Sequence, residues 1–382
     1  MGSLTTSSRG HYLVQSKAFQ AKDIQLAPPG PDEVQIAPRS TTLCGSDLHY
    51  YTHYRNGSIT VREPLCLGHE SAGEVVMIGS EVKDRRVGDK VAIECGVPCL
   101  ECEFCLGERY NLCPKLRFRG SGAAFPHFQG TMQGKINHPA RWTHRLPDAL
   151  TFDDGALLEP LSVACHAVRR AKVVPASSCL VIGAGAVGLL CAAVARFKGC
   201  SRIAICDIDK HRVDFALQNG FAQIGLTVER RVATNIEEEL ANARALARDM
   251  GDLIWPDTGP AGRFSIVFEC TGVPSCVQTS IYAAKSGGRV MLVGMGTPNH
   301  TLPLSEAGAR EIDLMPTWRY AYCYEEAMKI MSVVINDSYT PDIRKLITHR
   351  FNGLETLSEA FGLAASPQDA SGNLVVKVVV NN

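Results

Sequence analysis

Hydrophobic positions along this chain keep two rhythms. Up to about residue 160 they alternate with polar ones in short pieces such as DEVQIAP, GEVVMIG and DKVAIE, separated by Gly, Pro and charged turns. Alternation with a period of two predicts half-buried strands. From about residue 178 the pattern changes to solid apolar runs, SCLVIG, RIAICD, FSIVFECTG and GGRVMLVGMG. Helical periodicity lies between them, over Val187–Phe197, Arg212–Asn219 and Gln278–Ala284. Apolar strand, helix, apolar strand predicts an α/β fold with a doubly wound parallel sheet, covered on both faces. Mixed texture returns after residue 317 and ends in NLVVKVVV, a strand expected to pair back onto the first domain. The organisation read from this is a first domain over 1–164, a second over 165–316 and a return to the first over 317–382. Within the second, NIEEELANARALARDMGD is charged and Ala-rich, and reads as a solvated surface helix inside an insertion over 226–261, with no function assigned.

Charge narrows the partners. Lys+Arg and Asp+Glu both number 39, so no net field draws in nucleic acid or an anionic membrane, and a small-molecule partner is expected. The longest apolar run, Leu180 to Ala195, is interrupted by glycines and is shorter than the ~20 residues of a membrane span. The chain opens MGSLTTSSRG with no apolar leader, and its 15 cysteines are odd in number and mostly scattered. These features predict a cytoplasmic protein in a reducing compartment, where clustered thiols bind metal rather than pair as disulfides.

The run VIGAGAVG contains Gly183-x-Gly185-x-x-Gly188 between an apolar strand and an apolar helix, and the next strand ends at Asp207. That context turns a weak pattern into a dinucleotide fingerprint. Gly183 permits the tight turn, Gly185 lets backbone approach the pyrophosphate, and Gly188 lets helix pack on strand. Asp207 is placed to accept the adenosine ribose hydroxyls and to repel a 2′-phosphate, by about 4 kcal/mol per charge pair at 4 Å and an effective dielectric of 20. NAD is therefore expected over NADP, although Lys210 and Arg212 lie close enough to blunt the repulsion.

Four thiols fall within fifteen residues, Cys99, Cys102, Cys105 and Cys113, in CLECEFCLGERYNLC. The spacing can close a tetrahedron around one zinc with no position left for substrate, so it predicts a structural staple for a lobe over 95–115; Cys95 is a rival ligand. Chemistry needs a second centre. Residues of the first domain able to ligate it are Cys44 and His49 in TLCGSDLHYY, His69 and Glu70 in LGHESAG, and Glu159 in ALLEPLSVACHA.

Taken in this order, these motifs resemble the zinc-dependent medium-chain dehydrogenase/reductase superfamily over nearly the whole chain. Glu-Pro-Leu-Ser at 159–162 and Arg319-Tyr320 resemble its polyol branch, the sorbitol, xylitol and L-arabinitol dehydrogenases, and NHPARW and LITHRF look most like fungal members. The resemblance implies a partly β, GroES-like catalytic domain beside a Rossmann coenzyme domain, with two zinc ions per chain and NAD. It implies that Cys44 and His69 bind the catalytic zinc, with Glu70 a third candidate and Glu159 a ligand or a partner of zinc-bound water. Ser46 and His49 would carry the proton to solvent. Tyr50, Arg319 and Tyr320 would bind polyol hydroxyls, with Phe118 and Ser121 facing the substrate. Val187, Gly294 and Met295 would line the cofactor, with Arg212 near its ribose. The implied reaction is reversible oxidation of a polyol to a ketose. Alternatives are oxidation of another secondary alcohol, such as a sugar acid, and a non-catalytic NAD-binding role. A homo-oligomer, commonly a tetramer, is implied in the same way.

Three departures bear on the substrate. The loop in FRGSGAAFPHFQGT is longer than in the sorbitol enzymes, Gly134 and Lys135 stand where bulkier residues are usual, and Trp318 precedes Arg319.

Overall fold

The computed structural model describes residues 5–175, 177–334 and 339–382. The chain forms two compact units: Met1–Pro160 with Tyr324–Ser332 and Arg344–Asn382, and Leu161–Cys323 with Val333–Ile343. The return to the first unit thus begins at Tyr324, and a short piece of the later chain belongs to the second.

The first unit is built on a mixed sheet in the order Thr143–Arg145, Lys90–Ile93, Glu70–Ile78, Glu33–Thr42, Lys377–Asn381 and Ile347–Asn352, with Ile136–Pro139 also pairing with Glu33–Thr42. The alternating pieces become these strands because one face of each buries Val34, Ile36, Val75, Val91 and Ile93 together. Register matters here. Thr42 lies opposite both Glu70 and Val379, so the ends of three strands far apart in sequence meet at one point. Beyond Thr42 the chain turns directly into the helix Gly45–His53, with Cys44 as its N-cap.

The second unit is a six-stranded sheet in the order Ile224–Thr227, Arg202–Asp207, Ser178–Ile182, Phe264–Glu269, Ala284–Leu292 and Asp313–Pro316, every pair parallel. This is the doubly wound order, reversing direction between Ser178–Ile182 and Phe264–Glu269. The solid apolar runs form its strands because they are covered on both sides.

One expectation is corrected. The helix Ile236–Gly251 is not simply solvated: Ala243, Ala247 and Met250 form a buried stripe packed with Trp255, Ile281 and Tyr282. Small alanines concealed the stripe, since their spacing is that of a core face while their size reads as neutral. Its start is fixed by Asn235, whose side chain accepts the Glu238 N–H at 2.9 Å. Ala247→Glu, which buries a carboxylate in that stripe, is expected to lower the thermal midpoint by about 5 °C or more. Ala241→Glu on the exposed face leaves it within about one degree, as differential scanning fluorimetry would show.

Candidate metal and nucleotide sites

Three strand and helix ends deliver the first site. Donor atoms of Cys44, His69 and Glu70 all lie within 4.8 Å of one another. Cys44 sits at a helix N-terminus as the N-cap of Gly45–His53. His69 follows Gly68, whose φ of +93° lets the chain turn into the strand beginning at Glu70. Among the described residues these three form one of two such donor groups.

Asp47 organises the trio, and sequence reasoning missed it. Its Oδ2 accepts the Cys44 N–H at 3.2 Å, while Oδ1 accepts the Gly68 N–H at 3.3 Å and lies 3.3 Å from His69 Nδ1. Nδ1–H donation to Asp47 leaves His69 Nε2 as the metal-facing nitrogen. Burial pushes the His69 imidazole down, but the Asp47 carboxylate and Cys44 thiolate overcome this and hold it well above the usual histidine value. That field favours positive charge at the point where the donors meet.

Glu70 is almost fully buried and takes hydrogen bonds from Thr42 Oγ1 and from the ammonium of Lys377, a second residue the sequence did not single out. Lys377 Nζ also donates to the Leu43 carbonyl at 3.1 Å. Burial lowers the Lys377 pKa, yet Glu70 and Cys44 more than restore it, so the pair is ionic. Removing one partner of such a buried pair costs about 3–5 kcal/mol, because the other charge stays buried alone. Glu159 lies outside the close trio; it is 5% exposed, and its charge is felt at Lys377 and at Cys95.

Around the trio, Ser46 Oγ is 3.5 Å from His69 Nε2, and His49 is exposed one turn along the same helix. The Phe118 ring lies 5.3 Å from that of His69. Tyr50 is buried, its hydroxyl accepting the Gly122 N–H at 3.1 Å and lying 3.4 Å from Ser121 Oγ. Arg319 and Tyr320 belong to the second unit. Arg319 has a left-handed φ of +49° with its guanidinium 4.9 Å from the Trp318 ring, and Tyr320 is buried.

The second donor group is Cys99, Cys102, Cys105 and Cys113. Sulfur separations are 3.5 Å for 102–105, 3.5 Å for 99–113 and 4.0 Å for 99–105. A tetrahedron with ~2.3 Å zinc–sulfur bonds has edges of about 3.8 Å, so the spacing suits that ion. Cys95 is not among the four: it is fully buried, its Sγ 3.6 Å from the Ile93 carbonyl, and burial pushes its thiol up to about 12. Among the described residues no cysteine is joined in a disulfide. The lobe is tied to the sheet by the Tyr110 hydroxyl, which donates to the Glu94 carboxylate; its other oxygen meets His144 Nε2 at 2.7 Å.

In the second unit, Gly183 has φ +99°, and a Cβ on Gly188 would stand 1.9 Å from the Gly183 carbonyl oxygen. The helix Ala186–Phe197 therefore sits directly on the turn, with Gly185 as its N-cap and Val187 half-buried in its first turn. Asp207 Oδ2 accepts the Ala184 N–H at 2.7 Å and Oδ1 the Asp209 N–H at 2.9 Å, which fixes the carboxylate at the turn and leaves lone pairs on both oxygens. Arg212 Nη1 is 3.7 Å from where a Gly185 Cβ would be. A Cβ on Gly294 would fall 2.1 Å from the Gly272 nitrogen, so two strand-end loops touch backbone to backbone, and Met295 beside them is 68% exposed.

Two outcomes follow. Asp47→Ala, which frees the His69 ring, is expected to weaken zinc retention at the trio about 10- to 100-fold in a chelator competition. Cys105→Ser is expected to abolish zinc binding by the four-sulfur lobe in a metal titration and to lower the thermal midpoint by about 5 °C or more.

Comparisons with known proteins agree with this geometry. Residues 30–148 match the alcohol dehydrogenase GroES-like domain, and residues 186–333 match the zinc-binding dehydrogenase domain. The chain is 34% identical to sorbitol dehydrogenase of Arabidopsis thaliana, over 97% of this chain and 94% of the relative. It is 33% identical to L-idonate 5-dehydrogenase of Vitis vinifera, over 97% and 93%. Among solved structures, L-idonate 5-dehydrogenase of Escherichia coli superposes with a TM-score of 0.82 at 22% identity, covering 100% of both chains, a likeness of fold. With the donor trio, the thiol lobe and the glycine turn all in place, the chain belongs to the zinc-dependent medium-chain dehydrogenases, in their polyol branch.

Proposed function

We propose that the protein oxidises a polyol to a ketose, reversibly, with NAD as hydride acceptor, and holds two zinc ions per chain. The observation that carries this reading is the trio Cys44, His69 and Glu70, whose mixed sulfur, nitrogen and oxygen donors suit a catalytic rather than a closed site. The four-sulfur lobe supplies the closed one. When bound, zinc at the trio polarises a substrate hydroxyl and the nicotinamide accepts the hydride.

The chain's own residues do the rest. Cys44, His69 and Glu70 would hold the metal, with Glu159 completing the set directly or through water. Asp47 fixes the His69 ring and Lys377 fixes Glu70, so neither donor must reorganise during turnover. Ser46 and His49, three residues apart on one helix, share a face and lead from the trio to an exposed imidazole, a route for the hydroxyl proton to reach solvent. Tyr50 and Ser121 supply hydrogen bonds to further hydroxyls and Phe118 supplies an apolar wall, while Arg319 and Tyr320 of the second unit carry polar groups suited to the same class of substrate. A buried hydroxyl left unpaired costs about 1–3 kcal/mol, so such partners favour a polyhydroxylated substrate. Asp207, with Arg212 beside it, would take the adenosine ribose, while Gly183, Gly185, Val187, Gly188, Gly294 and Met295 present backbone to the dinucleotide.

A second reading is oxidation of a sugar acid, supported by the similarity to the Vitis vinifera L-idonate enzyme at nearly the same identity. NADH formation measured with sorbitol, xylitol, L-arabinitol, galactitol and L-idonate separates the two. Polyol turnover is expected to exceed L-idonate turnover and to fall about 100-fold in Glu159→Ala; turnover of L-idonate alone would select the second reading. Asp207→Ser is expected to reduce the preference for NAD over NADP at least about tenfold, read from the ratio of kcat/KM values.

A further inference from the structure

A buried histidine ties the 121–130 loop to the segment 62–66. His127 is 4% exposed. Its Nε2 lies 2.9 Å from the backbone nitrogen of Arg62, and its Nδ1 lies 2.8 Å from the Ala124 carbonyl oxygen. A backbone N–H can only donate and a carbonyl can only accept. Nε2 must therefore be the acceptor and Nδ1 must carry the proton, so the site fits the neutral imidazole alone. The same residue's backbone N–H donates to the Glu63 carboxylate. Gln129 adds a second tie, accepting the Cys66 N–H at 2.7 Å and donating to the Pro64 carbonyl at 3.3 Å.

These ties join the loop to 62–66, the segment leading to His69. Its base is pressed there as well, since a Cβ on Gly130 would stand 2.2 Å from the Leu67 carbonyl oxygen. At the other end, Gly122 N–H donates to the Tyr50 hydroxyl and Ala123 N–H lies 3.3 Å from Ser121 Oγ. The Gly120 N–H to Phe128 carbonyl bond at 2.9 Å and the Ser121–Phe128 bridge close the loop into one unit. Whatever holds His127 therefore holds Ser121, and with it the partner of the Tyr50 hydroxyl.

We propose that His127 is the positioning residue for the substrate side of the site: neutral, it latches the 121–130 loop onto 62–66 and fixes Ser121 against Tyr50; protonated, it releases them. Protonation places a second N–H, on Nε2, against the Arg62 N–H, and one hydrogen bond becomes a repulsive contact. The charged groups around it are Glu63, which accepts the His127 backbone N–H, Arg62, whose guanidinium is 4.6 Å from the Phe125 ring, and Arg117, 3.5 Å from the Pro126 carbonyl. The substrate consequence rests on the proposed polyol reading of Tyr50 and Ser121; the latch itself does not.

The test uses the zinc-loaded full chain as wild type, His127→Ala and His127→Gln. Gln reaches the Arg62 N–H with an amide oxygen and cannot titrate. Hydrogen exchange of the 121–130 amides, without substrate, is followed from about pH 8 to about pH 5 after correction for intrinsic rates. Protection in wild type is expected to fall on acidification, to be absent in His127→Ala at every pH, and to be independent of pH in His127→Gln. In steady-state assays with the best polyol of the panel, His127→Ala raises KM about tenfold with kcat changed far less, and His127→Gln restores KM and removes its rise at acid pH. Protection indifferent to His127→Ala, or an acid-induced loss that persists in His127→Gln, would overturn the latch. Loosened exchange with unchanged KM would overturn its role in positioning. If wild type turned over no polyol, the functional reading would fail while the exchange experiment still judged the latch.

Discussion

Burying negative charge is the constraint around which the first unit is arranged. Two carboxylates, Asp47 and Glu70, lie within reach of a thiol and an imidazole, and neither carboxylate is accessible to water. Charges so placed persist only when each is paired or hydrogen-bonded. Asp47 is neutralised by backbone N–H groups and by His69, and Glu70 by Thr42 and Lys377. Both solutions require that three strand ends and one helix N-terminus converge, which fixes the register of the central sheet. The three donor atoms are thereby held within 4.8 Å of one another.

The second unit solves a different problem with backbone alone. At Gly188, Gly272 and Gly294 any side chain would collide with a neighbouring main chain, so the glycine turn and the loops around Gly272 and Gly294 are shaped by what is missing. Asp207 is locked by two backbone N–H groups, and its charge is therefore presented at a fixed point at the edge of the sheet. Where the first unit holds charge by pairing it, the second displays one charge beside bare backbone.

The legible parts of the sequence were those written in short spacing. Four thiols within fifteen residues and a glycine triplet between two apolar runs specify their geometry locally, and the parallel sheet follows from solid apolar strands. Asp47 was missed although Cys44-x-x-Asp47 is a helix-capping spacing, because its second partner, His69, is 22 residues away. Lys377 could not have been found by spacing at all, since 307 positions separate it from Glu70 and only the sheet register joins them. The helix Ile236–Gly251 was misjudged because alanine stripes carry a weak hydrophobic signal. The 121–130 loop was expected to depart from its relatives, but its tie to 62–66 runs through a histidine nitrogen and a backbone N–H that no motif records.

Two chemically distinct donor groups, one closed and one open, are proposed to hold one zinc each. X-ray absorption at the zinc edge of the fully loaded protein tests this most directly. Four sulfurs in the lobe and one at the trio make five sulfurs shared between two ions, so the account predicts two zincs per chain with an average of about 2.5 sulfurs each, the remainder being nitrogen and oxygen. A single zinc per chain with four sulfurs would contradict it, because the trio would then hold no metal.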